Sequence, residues 1–341
     1  MYEYICKDGE SGSLGNLLTG ERVHTALGRL RPIVHRTPLL TSETTNRLVG
    51  KHVYFKLENQ QKTGAFKFRG ATFKLMQLRK TQLRRGVITA SAGNHAQGVA
   101  YAATKLDTKA TIFMPEDTPD AKVDATRNYG ANVVLTGETF QEAYEKSLER
   151  QKRTGAVYVH PFDDYDVMAG QGTIALELLR QEDRIDTIIV PIGGGGLISG
   201  IAVAAKHVNR NMQIIGVQAK NAAAVYDSFH QHTMKKWDSV STIAEGIAVK
   251  EPGKQTLPII NRYVDDIVTV TDEQIASAMI YMLERNKTLV EGAGAAALAA
   301  LFAYHDEIDS QHCGVIVSGG NMDISMMTKI QNLAERLAVP V

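Results

Sequence analysis

The alternation of strand-like and helix-like segments is the feature that most constrains the fold of this chain. In a first series, buried strand patterns alternate with helices that have one apolar side, at residues 86–90, 94–105, 110–115, 121–128, 132–135 and 140–153. A second series follows residue 158, with a helical pattern at roughly 169–181 and further helices between strands at 187–191, 213–218, 267–270 and 314–317. Such alternation is typical of parallel sheets with right-handed crossovers. We therefore predict an α/β fold with two lobes, the smaller at about 60–154.

Composition and charge exclude several classes of function. With a net charge of +1, 6% aromatic residues and no basic block, the 341-residue chain is not expected to bind nucleic acid. It contains no apolar run of membrane-spanning length, and its first residues lack the pattern of a signal peptide. Its two cysteines, Cys6 and Cys313, are too few for a disulfide framework and indicate a reducing compartment. We expect a cytoplasmic protein that does not contact membranes.

Lys67 lies between two phenylalanines, where a strand at 53–57 and a polar loop are followed by a helical pattern. An amine with apolar neighbours near the positive end of a helix loses part of its preference for the charged form. Because only the neutral amine attacks a carbonyl, Lys67 is a candidate for Schiff-base chemistry. Taken alone, the same pattern also fits an ordinary lysine whose stem packs against Phe66.

Four consecutive glycines, Gly193 to Gly196, separate a predicted strand from a helix that begins at Leu197. Free backbone N–H groups and the helix dipole at such a place can hold a phosphate. A dinucleotide-binding turn would need G-x-G-x-x-G and an acid near the end of the next strand. Ser199 stands at the sixth position counted from Gly194, the next strand ends in Gln218, and no Walker motif is present. A tight turn with close helix packing is the alternative, although four glycines exceed what a turn needs.

A second strand-to-helix turn, Ser91-Ala92-Gly93-Asn94-His95, either binds an anion of its own or caps a helix. Two anion sites suit a phosphate on a cofactor and a carboxylate on a substrate. Ser318 follows a buried strand, where its hydroxyl could pair with an unprotonated pyridine nitrogen or simply belong to a Ser-Gly-Gly turn. His95 has no neighbouring Ser or Cys nucleophile, so we assign it no base chemistry.

Together and in this order, Lys67, the turn at 91–98, the glycine run with Leu197, and Ser318-Gly319-Gly320-Asn321 resemble the motifs of the fold-type-II pyridoxal-phosphate enzymes. Within them the chain is most similar to the serine/threonine dehydratase family in its short catabolic form, over roughly residues 22 to 335. The resemblance implies two domains like those of the tryptophan synthase β-subunit, each an open, mostly parallel sheet flanked by helices. It implies a loose arm at 1–20, a large cofactor-binding domain at 21–59 and 155–341, a small mobile domain at 60–154, and no C-terminal regulatory domain.

The resemblance also implies roles for individual residues. Lys67 would hold pyridoxal 5′-phosphate as a Schiff base and act as general base, and Ser318 would be the partner of the ring nitrogen. Asn94 would contact the 3′-oxygen of the ring, and Glu291 would lie near the ring, although a first-turn glutamate serving the helix dipole is the simpler account. Further cofactor-binding residues implied in this way are Phe66 beside the ring and, at the phosphate, Gly193, Gly194, Gly195, Gly196 and Leu197.

The substrate carboxylate would lie in the second turn, on Ser91, Ala92, Gly93, Asn94 and His95. No metal site is expected, because His230 and His232, near Trp237, lack further ligands at a usable spacing. Ala244-Glu245-Gly246 departs from the Ala-Asp-Gly loop of the family, which leaves open any substrate or cation contact there.

The implied activity is elimination of ammonia from L-threonine to give 2-oxobutanoate, and from L-serine to give pyruvate, in amino-acid catabolism or isoleucine biosynthesis. A serine racemase and a β-replacement synthase on the same fold are alternatives. A nucleotide-sensing module without chemistry would leave Lys67, the two anion turns and Ser318 unexplained. Racemases of the family carry a serine after the first Ser of the second turn, where this chain has Ala92. The family also suggests a homodimer or homotetramer, with a nucleotide such as AMP as an effector.

Overall fold

A computed structural model describes residues 17–337 of the chain. Cys6 and residues 1–16 of the predicted arm lie outside the described residues. Within them the chain forms ten strands: β1 (Leu39–Thr41), β2 (His52–Leu57), β3 (Val87–Ala90), β4 (Ala110–Met114), β5 (Asn132–Leu135), β6 (Val157–Tyr158), β7 (Thr187–Pro191), β8 (Gln213–Ala219), β9 (Asp266–Val270) and β10 (His312–Val317).

The same residues form fourteen α-helices, joined by short loops and 3₁₀ turns. They are α1 (Gly20–Leu30), α2 (Glu43–Val49), α3 (Lys67–Met76), α4 (Lys80–Arg85), α5 (Asn94–Lys105), α6 (Asp120–Asn128), α7 (Phe140–Thr154), α8 (Tyr165–Gln181), α9 (Gly196–Val208), α10 (Ala224–His230), α11 (Thr256–Tyr263), α12 (Asp272–Glu284), α13 (Gly292–Tyr304) and α14 (Met327–Ala334). No helix between residues 17 and 337 is long and apolar enough to cross a membrane.

The strands form two sheets. The larger has the order β1-β2-β10-β7-β8-β9 and is parallel except for the antiparallel edge strand β1. The smaller has the order β5-β4-β3-β6 and is parallel throughout. The chain leaves the larger sheet after β2 and returns to it at β7, so the smaller sheet is an insertion. This arrangement confirms the predicted α/β fold. The predicted domain division and the mobility of the small domain stay predictions, and β6 pairs in the smaller sheet although it lies beyond residue 154.

Helix α8 runs between α3 and α9 and is buried along most of its length. Both neighbours approach its backbone closely. A methyl group built on Gly170 would lie 2.6 Å from Cα of Gly70 in α3, and one built on Gly172 would lie 2.5 Å from the carbonyl oxygen of Gly200 in α9. Side chains at these crossings would push the helices apart, so α3 and α9 are each held in register against α8 by backbone contact.

A buried ion network fixes the first turn of α3. The Arg69 guanidinium is fully buried and donates to both carboxylate oxygens of Glu58, at 2.7 and 2.8 Å, and of Glu177, at 2.7 and 2.9 Å. The buried Lys56 amine donates to Glu177 at 3.0 Å. Two acids and two bases therefore compensate one another away from water, and the network joins β2 and its following loop to α3 and α8.

Candidate active site

Lys67 is the first residue of α3, as the sequence predicts. Its Nζ donates a 2.7 Å hydrogen bond to the carbonyl oxygen of Pro161 and lies 5.2 Å from the centre of the Phe66 ring. Burial lowers the pKa of the Lys67 amine to about 8, while the negative charge of Glu291 acts in the opposite direction. A substantial fraction of the amine is therefore neutral, and so nucleophilic, slightly above neutral pH.

The glycine run connects β7 to α9 as a tight turn with no room for a side chain at Gly194, Gly195 or Gly196. Gly195 has a φ of 98°, a conformation that side chains rarely allow, and a methyl group on Gly194 would overlap the Phe162 ring. The backbone N–H groups of Gly193, Gly194 and Gly195 have no hydrogen-bond acceptor among residues 17–337. Three unpaired donors at the start of a helix form a site suited to a phosphate.

Asn94, Glu291 and Asn321 form a hydrogen-bonded group between the two sheets. The Asn94 amide donates to Glu291 at 2.7 Å, and its oxygen accepts from Asn321 at 2.8 Å. Asn321 also donates to the carbonyl oxygen of Thr63 at 2.7 Å. Burial raises the pKa of Glu291 to about 7, although the hydrogen bond from Asn94 opposes the rise. Glu291 is therefore hydrogen-bonded to Asn94, which is predicted to contact the cofactor.

Ser318 lies directly after β10, next to the Lys67 segment. Its carbonyl oxygen accepts from the N–H of Phe66 at 3.1 Å, and the following Gly319 pairs with Ala65. The Ser318 hydroxyl is buried and donates to the carbonyl oxygen of Ala293 at 3.1 Å. A hydroxyl can rotate to a new acceptor, so this position is compatible with the predicted contact to a ring nitrogen, which stays a prediction.

The second turn connects β3 to α5 and leaves donors free. Within residues 17–337, the backbone N–H groups of Ala92, Asn94 and His95 have no acceptor, whereas that of Gly93 bonds the Ser91 hydroxyl at 3.3 Å. His95 is buried, with Nε2 at 2.9 Å from the carbonyl oxygen of Val159. Burial, and then the charge of Lys67, lower the pKa of His95 to about 3. A histidine of that pKa is too weak a base to take a proton near neutral pH.

Two contacts in the site were not predicted. The Pro161 carbonyl that holds Lys67 lies in the segment between β6 and α8, and no sequence pattern assigns a role to a backbone oxygen. Asn321 belonged to a motif used only for the resemblance, and its position next to Ser318 was the available signal.

The side chains around His230 form hydrogen bonds with neighbouring residues. His230 Nε2 bonds the carbonyl oxygen of Ile267 at 3.1 Å, and the Trp237 ring N–H donates to Asp227 at 2.8 Å. No group of metal-binding side chains is found among residues 17–337.

Glu245, the acid that departs from the family pattern, connects the segment between α10 and α11 to α6. Its carboxylate forms a 2.7 Å ion pair with Lys122 of α6, next to the smaller sheet. Both residues line a shallow pocket that also includes Glu291 and Asn321. The Glu245 side chain is 70% exposed, so the pair is accessible to solvent at the edge of the site.

Comparison with known proteins identifies the family. The sequence profile of the pyridoxal-phosphate dependent enzymes matches residues 30–319, which include Lys67, the second turn, the glycine run and Ser318. The chain belongs to this family. It is 44% identical to the L-threonine ammonia-lyase of Thermotoga maritima, over 93% of this chain and 79% of the relative.

Two solved structures are also similar. The processed form of threonine deaminase isoform 2 from Solanum lycopersicum has a TM-score of 0.89 and 37% identity, covering 97% of this chain and 94% of that one. Serine racemase from maize has a TM-score of 0.88 and 38% identity, covering 92% of this chain and 97% of that one. Lyases and racemases therefore share this fold at similar levels of identity.

The residues present fit pyridoxal phosphate, the cofactor of the family. The unpaired N–H groups of the glycine turn suit its phosphate, and the Lys67 amine with its lowered pKa suits its carbonyl group. Ser318 supplies a neutral hydroxyl instead of a carboxylate, which suits an unprotonated ring nitrogen. No metal ligand or second charged cofactor site is needed to account for these groups.

The lowered pKa of Lys67 leads to a testable pH dependence. In the cofactor-free protein, competitive acetylation followed by mass spectrometry should give half-maximal reactivity of Lys67 near pH 8, because the amine loses its proton as pH rises through its pKa. Glu291→Gln should move this midpoint to lower pH, since the Glu291 charge raises the pKa of Lys67. Glu149→Gln, on the exposed side of α7, should not. A midpoint at the ordinary lysine value of about 10.4 would contradict the buried amine.

Proposed function

We propose that this protein is an L-threonine ammonia-lyase that converts L-threonine to 2-oxobutanoate and ammonia, and L-serine to pyruvate. The observation that carries the proposal is the buried Lys67 amine, with a pKa of about 8, between two turns whose N–H groups are free to bind anions. The names of relatives such as the Thermotoga maritima L-threonine ammonia-lyase support the choice of substrate.

The roles of the chain's own residues follow from their positions. The N–H groups at 92, 94 and 95 bind the substrate carboxylate, and those at 193–195 bind the cofactor phosphate. Lys67 takes the proton from Cα of the amino acid, because its lowered pKa places it close to the working pH. Pyridoxal phosphate, when bound, supplies the electron sink for the charge left at Cα. Asn94 and Glu291, which are hydrogen-bonded to each other, would hold the ring of the cofactor.

The lobes and the setting of the enzyme belong to the same proposal. The inserted lobe at about 60–154 is proposed to move as a small domain over the large cofactor-binding domain, with Lys122 and Glu245 meeting across the opening. The enzyme is proposed to work in the cytoplasm as a homodimer or homotetramer, in threonine breakdown or isoleucine biosynthesis, with a nucleotide such as AMP as an effector.

A serine racemase is the second candidate, supported by the maize enzyme at 38% identity. A racemase needs an acid/base group opposite the lysine to return a proton to the other face of Cα. In this chain the corresponding position of the second turn is Ala92, whose methyl group carries no proton. The side chain at this position therefore favours the lyase.

Product analysis separates the two candidates. From L-threonine we expect rapid release of 2-oxobutanoate, and from L-serine pyruvate with negligible D-serine, measured by a keto-acid assay and chiral chromatography. Ala92→Ser introduces a hydroxyl and should give a trace of D-serine, whereas Ala96→Ser, in the first turn of α5, should give none. Accumulation of D-serine by the unmodified protein at a rate comparable with pyruvate would overturn the lyase assignment.

A further inference from the structure

The direction of each N–H group in the glycine turn is set by the carbonyl group that precedes it. In a planar trans peptide the C=O and the following N–H point in opposite directions. The N–H of Gly193 is therefore directed by what holds the oxygen of Ile192, that of Gly194 by the oxygen of Gly193, and that of Gly195 by the oxygen of Gly194. The groups that donate hydrogen bonds to these three carbonyl oxygens therefore set the direction in which the three N–H groups point.

Gln218, at the end of β8, binds two of the three oxygens. Its side chain is fully buried, and its Nε2 lies 3.3 Å from the oxygen of Ile192 and 3.5 Å from that of Gly193. Its Oε1 accepts from the N–H groups of Val225 and Tyr226 at the start of α10, at 2.9 and 2.8 Å. The position needs donors on one side and an acceptor on the other, and a neutral amide provides both.

The third oxygen, that of Gly194, is held from the α11 side. The Thr256 hydroxyl donates to it at 2.7 Å and the N–H of Gly253 at 3.1 Å. All three carbonyls are thus occupied by donors from the protein, while the N–H groups of Gly193 to Gly195 have no acceptor among residues 17–337. The carbonyl oxygens of the turn are therefore hydrogen-bonded to the protein, and its N–H groups, on the opposite side of the peptides, are left available to a ligand.

We propose that Gln218 is the positioning residue of this turn, aiming the N–H groups of Gly193 and Gly194 at the cofactor phosphate. Thr256 does the same for Gly195. The inference rests on the proposal that the glycine turn holds the phosphate. Loss of the Gln218 amide frees the carbonyls of Ile192 and Gly193 to rotate toward the phosphate, and a carbonyl oxygen facing a phosphate repels it.

The test compares binding of pyridoxal phosphate and of pyridoxal, which lacks the phosphate, to the cofactor-free full-length protein. Gln218→Met keeps the volume and removes the amide, so it should weaken pyridoxal phosphate binding by about tenfold or more and leave pyridoxal binding unchanged. Thr256→Val should weaken it by a smaller factor. Ser228→Ala is the matched control, because Ser228 is buried in α10 and bonds Ala224 at 2.6 Å without touching the glycine turn. It should leave both affinities unchanged.

Gln218→Glu adds a readout that a merely structural residue would not change. Its carboxyl group donates to a carbonyl only when protonated. The affinity of Gln218→Glu for pyridoxal phosphate, divided by that of the unmodified protein at the same pH, should therefore fall as pH rises through the titration of the new carboxyl, whereas the same ratio for Ser228→Ala should stay constant. The titration is run with a chelator, because a carboxylate beside two carbonyls is a set of ligands for a hard cation.

Each outcome decides a different point. Unchanged pyridoxal phosphate affinity in Gln218→Met and Gln218→Glu, or equal weakening toward both ligands, would overturn the role of Gln218. If Gln218→Met does not fold, the pH profile of Gln218→Glu and the affinity of Thr256→Val decide instead, and a flat profile with unmodified affinity overturns the proposal. Equal affinity of the unmodified protein for the two ligands would instead show that the glycine turn does not hold the phosphate.

Discussion

Lys67→Ala is expected to lower the rate of 2-oxobutanoate formation from L-threonine by about 10³-fold or more. The substitution removes the amine that attaches the cofactor and the base that takes the Cα proton, and a positioned base alone contributes about 10²–10⁴-fold. Initial rates measured with saturating cofactor give the loss directly. Borohydride reduction of the unmodified holoenzyme followed by peptide mapping should place the label on Lys67, and the variant should take up almost none.

Lys62→Ala is the matched control for this experiment, since Lys62 lies in the loop just before α3, close to Lys67 in the sequence. It should retain both the label and the rate. A borohydride label on Lys62 or Lys56 would show that the attachment site had been assigned to the wrong lysine. Lys56 is the more instructive of the two, because its amine is also buried but is committed to Glu177.

Arg69→Met is expected to lower the free energy of unfolding by about 3–5 kcal/mol, the usual cost of removing one partner from a buried ion network. Glu58 and Glu177 would lose two hydrogen bonds each and remain buried with a single positive charge, that of Lys56, nearby. Denaturant titration of the cofactor-free protein measures the change, provided that the slope of the transition stays constant.

Lys146→Met serves as the comparison for Arg69→Met, because Lys146 pairs with Glu149 on the exposed face of α7. Its removal should leave the midpoint of unfolding almost unchanged, since exposed ion pairs are screened by water. If Arg69→Met unfolds at the same denaturant concentration as the unmodified protein, the network contributes nothing to stability and α3 is held by its packing against α5 and α8.

The α/β alternation was readable from the sequence because buried parallel strands and one-sided helices have distinct periodicities. The observed boundaries of a helix differ from the predicted ones where a side chain caps the helix. Helix α8 begins at Tyr165 and not at the predicted residue 169. The Asp164 carboxylate accepts hydrogen bonds from the N–H groups of Asp166 and Val167, at 2.8 and 3.1 Å, and so stabilises an additional turn. The two-residue strand β6 was not predicted, since so short a segment has no periodicity.

The candidate site divides in the same way. Residues in glycine-rich turns, such as Gly195, and the start of a helix at Lys67 have local signatures, so the sequence located both. The Arg69 network and the bond from Lys67 to Pro161 depend on pairing between segments about a hundred residues apart, which no local pattern encodes. Gln218 was noticed only as evidence against a dinucleotide fold, because its bonds to Ile192 and Gly193 exist only once β7 and β8 are paired.

Because α8 contacts both neighbouring helices through glycines, it sets the distance between the two parts of the site. Lys67 begins α3 and the glycine turn begins α9, and both helices touch α8 through glycine, at Gly70–Gly170 and Gly172–Gly200. The distance between the Lys67 amine and the glycine turn is therefore set largely by the backbones of three helices, which touch at these two pairs of glycines. Surface loops can lengthen or shorten without changing that span. A methyl group added at either crossing would push the helices apart and lengthen the distance between the Lys67 amine and the glycine turn.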